Sequence, residues 1–369
     1  MRISRRAFLG TSATLAGCAT RRNAIPTPAA AARLAPVRVA ADRVIRTIVG
    51  LRPFRPSGFV VRGEKLDTKT VIHNYGHGGA GITLSWGTAH LAVEEAAKIE
   101  TRSCAVIGCG VVGLATACLL QQRGYSVAIY TKAMPPNTTS NIAGGLWDPV
   151  TVFDQPRVTP EFRKQFGEAG RFAFRYYQSL AGEPYGVRWL PVYALSTASE
   201  HQPPGPESPS SEIEPLYPEG RNLAPAENPF HTPFAYRRDS MLIEPAIYLA
   251  ALLRDFMIAG GRIVVRDFAE TRDLMSLRED LLFNCTGLGA RTLFHDEELI
   301  PIRGQLSFLL PQPEVQYMTT GPGNIYMFPR HDGILLGGTH ERGNESLDPD
   351  PATTERVLRE NGAVFNAMR

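Results

Sequence analysis

Apolar positions in this chain come in short runs cut by glycine, and the sharpest such pattern lies between Ser103 and Lys132. Ala105 to Ile107 form an apolar run that ends in Gly108-Cys109-Gly110-Val111-Val112-Gly113; Leu114 to Gln122 then read as a helix and Ser126 to Tyr130 as a second strand. Strand, glycine turn, helix and strand in this order predict a βαβ nucleotide-binding unit. Glycine is required because the turn is tight, the backbone must come close to a pyrophosphate, and the helix must pack on the strand while its N-terminal N–H groups face the anion. The spacing does not choose between a flavin and a nicotinamide. An acidic residue that would hold the ribose is expected about 20 positions on, and Thr131-Lys132 stand there instead.

Upstream, the pattern turns β-like from Arg43, and Thr47-Ile48-Val49-Gly50 leads into Leu51-Arg52-Pro53-Phe54-Arg55-Pro56. Two prolines fix φ and remove backbone donors, so a rigid turn is expected that presents Arg52 and Arg55 in set directions. An arginine on such a support suits bidentate recognition of a carboxylate; a structural ion pair is the alternative. Thr70-Val71-Ile72 reads as a strand. His73-Asn74-Tyr75-Gly76-His77-Gly78-Gly79-Ala80-Gly81 reads as a glycine-rich loop opening a helix in which Ile82, Trp86, Ala89 and Val93 share one face. Such a loop and helix start suit an anion or a cofactor. Downstream, nine prolines between Ser199 and Arg238 predict an irregular surface segment. Leu242 to Phe256 then read as a helix, Arg262 to Val265 as a strand, and Thr353 to Met368 as an amphipathic helix.

With 369 residues, 43% of them apolar, the chain can bury a substantial core and is expected to form about two domains. The formal charge of +3 is carried by Arg2, Arg5 and Arg6, in a segment expected to be removed, so neither a nucleic-acid partner nor a polybasic membrane surface is indicated. The five cysteines show no CxxC or Cys/His ligand spacing, which argues against a metal site. Cys104, Cys109, Cys118 and Cys285 read as small buried apolar residues. Ser4-Arg5-Arg6-Ala7-Phe8-Leu9 is a twin-arginine export pattern, and Leu15-Ala16-Gly17-Cys18 resembles the lipobox of bacterial lipoproteins, which would make Cys18 the lipidated first residue. An ordinary export signal with a coincidental cysteine is the alternative. Arg21 to Leu34, rich in Ala, Pro and Thr, reads as a tether.

His73 to Trp86, HNYGHGGAGITLSW, resembles the C-terminal signature of the D-amino-acid oxidase family of flavoproteins, and Gly50 to Pro56 resembles the arginine turn that precedes it. Pro136 to Trp147, Phe283 to Gly287, Arg303-Gly304-Gln305, Ile325 to Pro329 and Leu336 to Thr339 follow in the family's order. In that family the first two segments come after the nucleotide-binding unit, whereas here they precede it. The resemblance therefore implies a circularly permuted α/β chain with a Rossmann-like FAD-binding domain and an antiparallel-sheet substrate domain. The family's ends would be joined by the helix Val93 to Ile99, and the helix near the C-terminus should finish near Leu34 to Arg43. The implied order is an export signal (1–18), a tether (19–42), a substrate-domain strand and arginine turn (43–69), and an FAD-binding portion (70–150). A mostly substrate-domain portion with the proline-rich insert (151–240), a second FAD-binding portion (241–300) and a final substrate portion (301–369) complete it.

The family transfers a hydride from the α-carbon of a D-amino acid to FAD, with dioxygen reoxidising the flavin to give hydrogen peroxide. The resemblance implies that Arg52 binds the substrate carboxylate, that Tyr326 hydrogen-bonds the same carboxylate, and that the Gly79 carbonyl receives the amine. Implied flavin contacts are Gly78, Gly79, Ala80, Gly81, Ile82 and Thr83 in the first glycine loop, and Gly108, Gly110, Val111, Val112 and Gly113 in the nucleotide turn. Thr131 and Lys132, then Thr138, Thr139, Ser140, Gly144, Gly145 and Leu146, complete the set. No acid or base constellation is needed, because positioning over the flavin is the main requirement. The chain departs from the family at Pro322, where mammalian relatives carry a lid tyrosine, at Lys132, at Asp148 in place of a pocket glutamine, and at His340, where members acting on acidic substrates carry arginine. A glycine or N-methyl amino acid oxidase and a non-catalytic flavin- or amino-acid-binding lipoprotein are the competing readings. The expected partners are an amino acid, dioxygen and, through the lipid, a membrane surface outside the cytoplasm; a homodimer is left open.

Overall fold

The computed structural model describes residues 34–368; the export pattern, Cys18 and residues 19–33 of the expected tether lie outside them, while residues 34–42 are not a tether, since Val37 is buried and the Arg38 N–H donates to Gln312 Oε1 at 2.8 Å. The elements in chain order are β1 (Val44–Phe54), β2 (Val60–Leu66), β3 (Lys69–Tyr75), α1 (Gly81–Ala96), β4 (Ser103–Ile107), α2 (Val111–Gln122), β5 (Ser126–Thr131), α3 (Pro160–Ser179), β6 (Val187–Ser196), β7 (Arg221–Asn222) and β8 (Phe234–Ile243). There follow α4 (Pro245–Ile258), β9 (Arg262–Val265), β10 (Leu281–Asn284), α5 (Gly289–Leu293), β11 (Ile300–Leu309), β12 (Met318–Thr320), β13 (Tyr326–Arg330), β14 (Gly333–Gly337), β15 (Glu341–Arg342) and α6 (Pro351–Asn366).

Two sheets organise these elements. The first runs β2-β3-β10-β4-β5-β9 and is parallel except for β2, which pairs antiparallel with β3. Its strands are short apolar runs because both faces are covered. Along β4 the side chains alternate: Cys104 and Val106 enter the core shared with α1, α2, α3 and α4, whereas Ala105 and Ile107 enter a second core with Phe268, Leu274 and Leu293. The second sheet runs β1-β11-β14-β13-β12-β6-β8-β7, with β15 on β11. All its pairs are antiparallel except β12 with β6. One face buries Leu190, Leu242, Leu306, Phe308 and Phe328; the other buries Leu309, Met327 and Leu336 against Val357, Val364 and Phe365 of α6.

Several expectations change. Arg52 and Pro53 lie inside β1, not in a turn: the strand continues to Phe54, and proline is tolerated because β1 is the edge of its sheet. Residues 60–66 form the edge of the parallel sheet, so the boundary between sheets falls at the turn after Phe54 and not near residue 70. The stretch from Leu242 is strand as far as Ile243, and the helix starts only at Pro245, whose fixed φ suits a first helical position. α1 does not show one apolar face: Ile82 to Ala89 are all buried, because the helix is wrapped by α2, α3 and the parallel sheet. The proline-rich segment is irregular but not wholly at the surface, since Ile213 packs into the main core against Gly170 of α3, and Phe230 into the core under α6.

Candidate functional site

The glycine turn after β4 is built as the motif requires. Gly108 has φ +110°, and a Cβ there would lie 2.5 Å from the Cys285 carbonyl oxygen; one on Gly113 would lie 2.0 Å from the Gly108 oxygen. The turn is thus closed against β10 on one side and against the first turn of α2 on the other. The Val111 N–H, at the start of α2, donates to Ser140 Oγ (3.0 Å), so residues 138–142 fold over the helix start. α1 begins beside it: a Cβ on Gly81 would sit 3.8 Å from Val111 Cγ1. Two helix N-termini therefore converge on one groove, and both favour negative charge.

The second glycine loop is held by a neighbouring segment. Gly79 N–H donates to the Thr151 carbonyl (3.0 Å), and side chains on Gly78 or Gly79 would collide with the Thr151 and Val150 oxygens at 1.8 and 2.7 Å. Thr151 itself adopts φ +56°, unusual for a β-branched residue and a mark of local constraint. Its hydroxyl meets His340 Nε2 at 3.3 Å, which links this loop to the residues after β14.

Arg52 and Tyr326 come together on the inner face of the antiparallel sheet. Gly50 pairs with Gly304, which leaves a gap in side chains beside Arg52; a Cβ on Gly304 would lie 2.5 Å from the guanidinium. The Tyr326 ring lies over Gly337 and Gly338, where added Cβ atoms would approach it to 2.1 and 2.5 Å. Arg52 donates to the Thr339 carbonyl at 3.3 Å and has no carboxylate partner among the described residues. Arg55, by contrast, is an ion-paired structural arginine, bound to Asp296 at 2.7 Å and to Glu298 at 2.5 Å. Burial pushes the Tyr326 hydroxyl above its ordinary range, while the charge and hydrogen bonding of the nearby Arg52 partly offset this. Burial, together with Arg52 and Arg342, holds His340 below the usual imidazole value.

The sequence profile of the FAD dependent oxidoreductase (DAO) family matches residues 19–95 and 103–368. The chain belongs to this family. The D-amino-acid oxidase of Rubrobacter xylanophilus is 32% identical over 278 residues, which cover 72% of this chain and 77% of that protein. The D-amino-acid oxidase of Dictyostelium discoideum is 29% identical over 258 residues, covering 69% and 70%. Among solved structures, the glycine oxidase from Geobacillus kaustophilus has a TM-score of 0.55 over 72% of this chain and 79% of that one, at 17% identity, a likeness of fold.

FAD is the cofactor of this family member, and the two helix starts fit it. The closed glycine turn leaves backbone room for a pyrophosphate, and both helix starts favour its charge, although Ser140 Oγ already accepts the Val111 N–H (3.0 Å) at one of them. Some expected contacts are otherwise occupied. Thr131 Oγ1 donates to the Ala133 carbonyl (2.6 Å), Lys132 is exposed, and Thr138 donates to Asn141 Oδ1 (2.8 Å). Gly145 is committed to β8, where its added Cβ would meet the Ile243 oxygen at 2.1 Å, and Leu146 bridges to Leu242. The side chains of Ile82 and Thr83 are buried, so only their backbone could serve a ligand.

Sequence reasoning missed the glycine floor of Gly304, Gly337 and Gly338, although all three lie in segments quoted for the resemblance; it depends on strand register, which sets Gly304 opposite Gly50 and Gly337 opposite Tyr326. It also missed Thr151, whose conformation leaves no trace in the sequence. Asp148 does not stand free: Tyr217, from the proline-rich segment, donates to its Oδ1 at 3.1 Å, and burial raises its pKa. Among the described residues no cluster of His, Cys, Asp and Glu could hold a metal.

Proposed function

We propose that the chain oxidises D-amino acids to 2-oxo acids, ammonia and hydrogen peroxide. The observation that carries this reading is a partly buried arginine without a carboxylate partner, set beside a tyrosine hydroxyl above a floor of glycines. In that space Arg52 accepts a substrate carboxylate in a bidentate pair, and Tyr326, kept protonated by burial, adds a hydrogen bond to it. The Gly79 carbonyl receives the α-amine, held in place by the Val150–Thr151 backbone. FAD, when bound, supplies the hydride acceptor and the route to dioxygen. The substrate, taken up as its neutral amine after losing a proton to solvent, leaves as an imino acid, its α-hydrogen lost as hydride and its nitrogen lone pair forming the C=N bond, and water then releases ammonia. No side chain need act as acid or base: His77 is buried, with its pKa lowered to about 3, and the buried thiols of Cys104, Cys109, Cys118 and Cys285 are raised to about 12.

The chain is further read as a circular permutation of the family, exported by the twin-arginine route and anchored through Cys18. The family profile matches in two blocks, the second beginning at β4. Tyr317 donates to the Ala35 carbonyl at 2.9 Å with Met368 Sδ 3.5 Å away, and Gly362 of α6 lies against Val39, as ends newly opened within one domain require. An anaerobic absorption titration with D- and L-amino acids and glycine tests the function. Bleaching of the flavin by D-amino acids alone is expected; bleaching by glycine or N-methyl amino acids alone, or none at all, overturns it. Palmitate labelling that is lost in Cys18→Ser tests the anchor.

A further inference from the structure

His77 is almost completely buried, yet it joins the end of β1, the second glycine loop and α1. Its backbone bridges to Phe54, two residues beyond Arg52 at the end of β1. Its carbonyl accepts the Ala80 N–H at 3.0 Å, which closes the turn that contains Gly78 and Gly79. Its ring reaches Thr88 of α1, with Nε2 2.8 Å from Oγ1, and stacks on Phe59 at 5.5 Å between centroids and 16° between planes. The Thr88 hydroxyl also lies 3.4 Å from the Ser85 carbonyl, so with its proton directed there Thr88 accepts from His77 in the tautomer protonated at Nε2. Burial keeps the imidazole neutral, which suits a fixed donor and not a proton carrier.

We propose that His77 is a positioning residue that sets the spacing between the Arg52 guanidinium and the Gly79 carbonyl, so that the substrate is held by its carboxylate and its amine together. The proposal rests on the functional reading above. A ligand held at both points should feel a change in their spacing, whereas a carboxylate without an amine should not, because it engages Arg52 alone. The comparison is therefore D-alanine against propionate, measured on the FAD-loaded protein as the D-alanine KM and the propionate inhibition constant.

His77→Leu and Thr88→Val are expected to raise the D-alanine KM about tenfold, the equivalent of one lost hydrogen bond, with propionate within about twofold of wild type. His77→Gln, whose amide can place N–H near the position of Nε2, is expected to restore most of the D-alanine affinity. Should His77→Leu fail to fold, the nearly isosteric Thr88→Val still reads out the same contact. Parallel weakening of D-alanine and propionate, or wild-type D-alanine affinity in both variants, overturns the proposal and leaves the function intact. A wild-type flavin that every D-amino acid of the panel leaves oxidised refutes the function and the proposal together.

Discussion

Replacing Arg52 with methionine separates binding from folding. The guanidinium is only partly exposed, and its one protein hydrogen bond to a carbonyl is long at 3.3 Å, so its removal strands no buried anion. The expected stability loss is below about 1 kcal/mol. A substrate carboxylate would lose a bidentate, charge-assisted pair worth about 3 kcal/mol at a site open to some solvent, a fall of roughly 150-fold in kcat/KM. Arg55→Met is the counterpart, because it leaves Asp296 without its cation in a site where the Arg55 and Asp296 side chains are 14% and 11% exposed, while Glu298 keeps Arg157. Breaking such a pair costs about 3 kcal/mol, or about 4 °C in Tm for a chain of this length. Peroxide release on D-alanine and thermal unfolding followed by circular dichroism give both readings. The reasoning fails if Arg52→Met keeps its kcat/KM, or if it lowers Tm as much as Arg55→Met.

Three further outcomes are expected. Gly337→Ala should abolish turnover while retaining flavin, because its Cβ would meet the Tyr326 ring at 2.1 Å; Gly205→Ala, with nothing within 4 Å, should be silent in the same assay. Gly113→Ala should lose flavin absorbance on gel filtration, since its Cβ would lie 2.0 Å from the Gly108 oxygen and open the nucleotide turn. Acid should destabilise the fold through His77, whose pKa is lowered from 6.5 to about 3 by burial. The unfolded chain takes up that proton more readily, so this contribution is complete above about pH 6.5 and declines toward pH 3. At pH 5 the loss is about 2 kcal/mol from this residue alone, and urea unfolding at pH 5 and 7.5 should show a smaller difference in His77→Gln.

Legibility tracked how local each constraint was. The βαβ unit could be read from residues in one contiguous stretch, because turn, helix start and strand are all set by neighbours, and Gly108 and Gly113 stand where backbone leaves no room for a side chain. The strand through Pro53 could not, since proline reads as a turn until the position of β1 at the edge of its sheet is known. Nor could the burial of α1 on nearly every side, which follows from its place between α2, α3 and the parallel sheet.

For the site the same division holds at a finer scale. Composition and spacing determined a nucleotide-binding α/β chain, a second glycine loop at a helix start, and two candidate arginines. The resemblance singled out Arg52, and the tertiary structure gives the physical difference between the two: Asp296 and Glu298, distant in sequence, neutralise Arg55, whereas Arg52 has no carboxylate partner among the described residues. It also decided that Gly304, Gly337 and Gly338 serve as the floor beneath Arg52 and Tyr326, since strand register sets which residues face one another and is a property of the sheet rather than of any single strand.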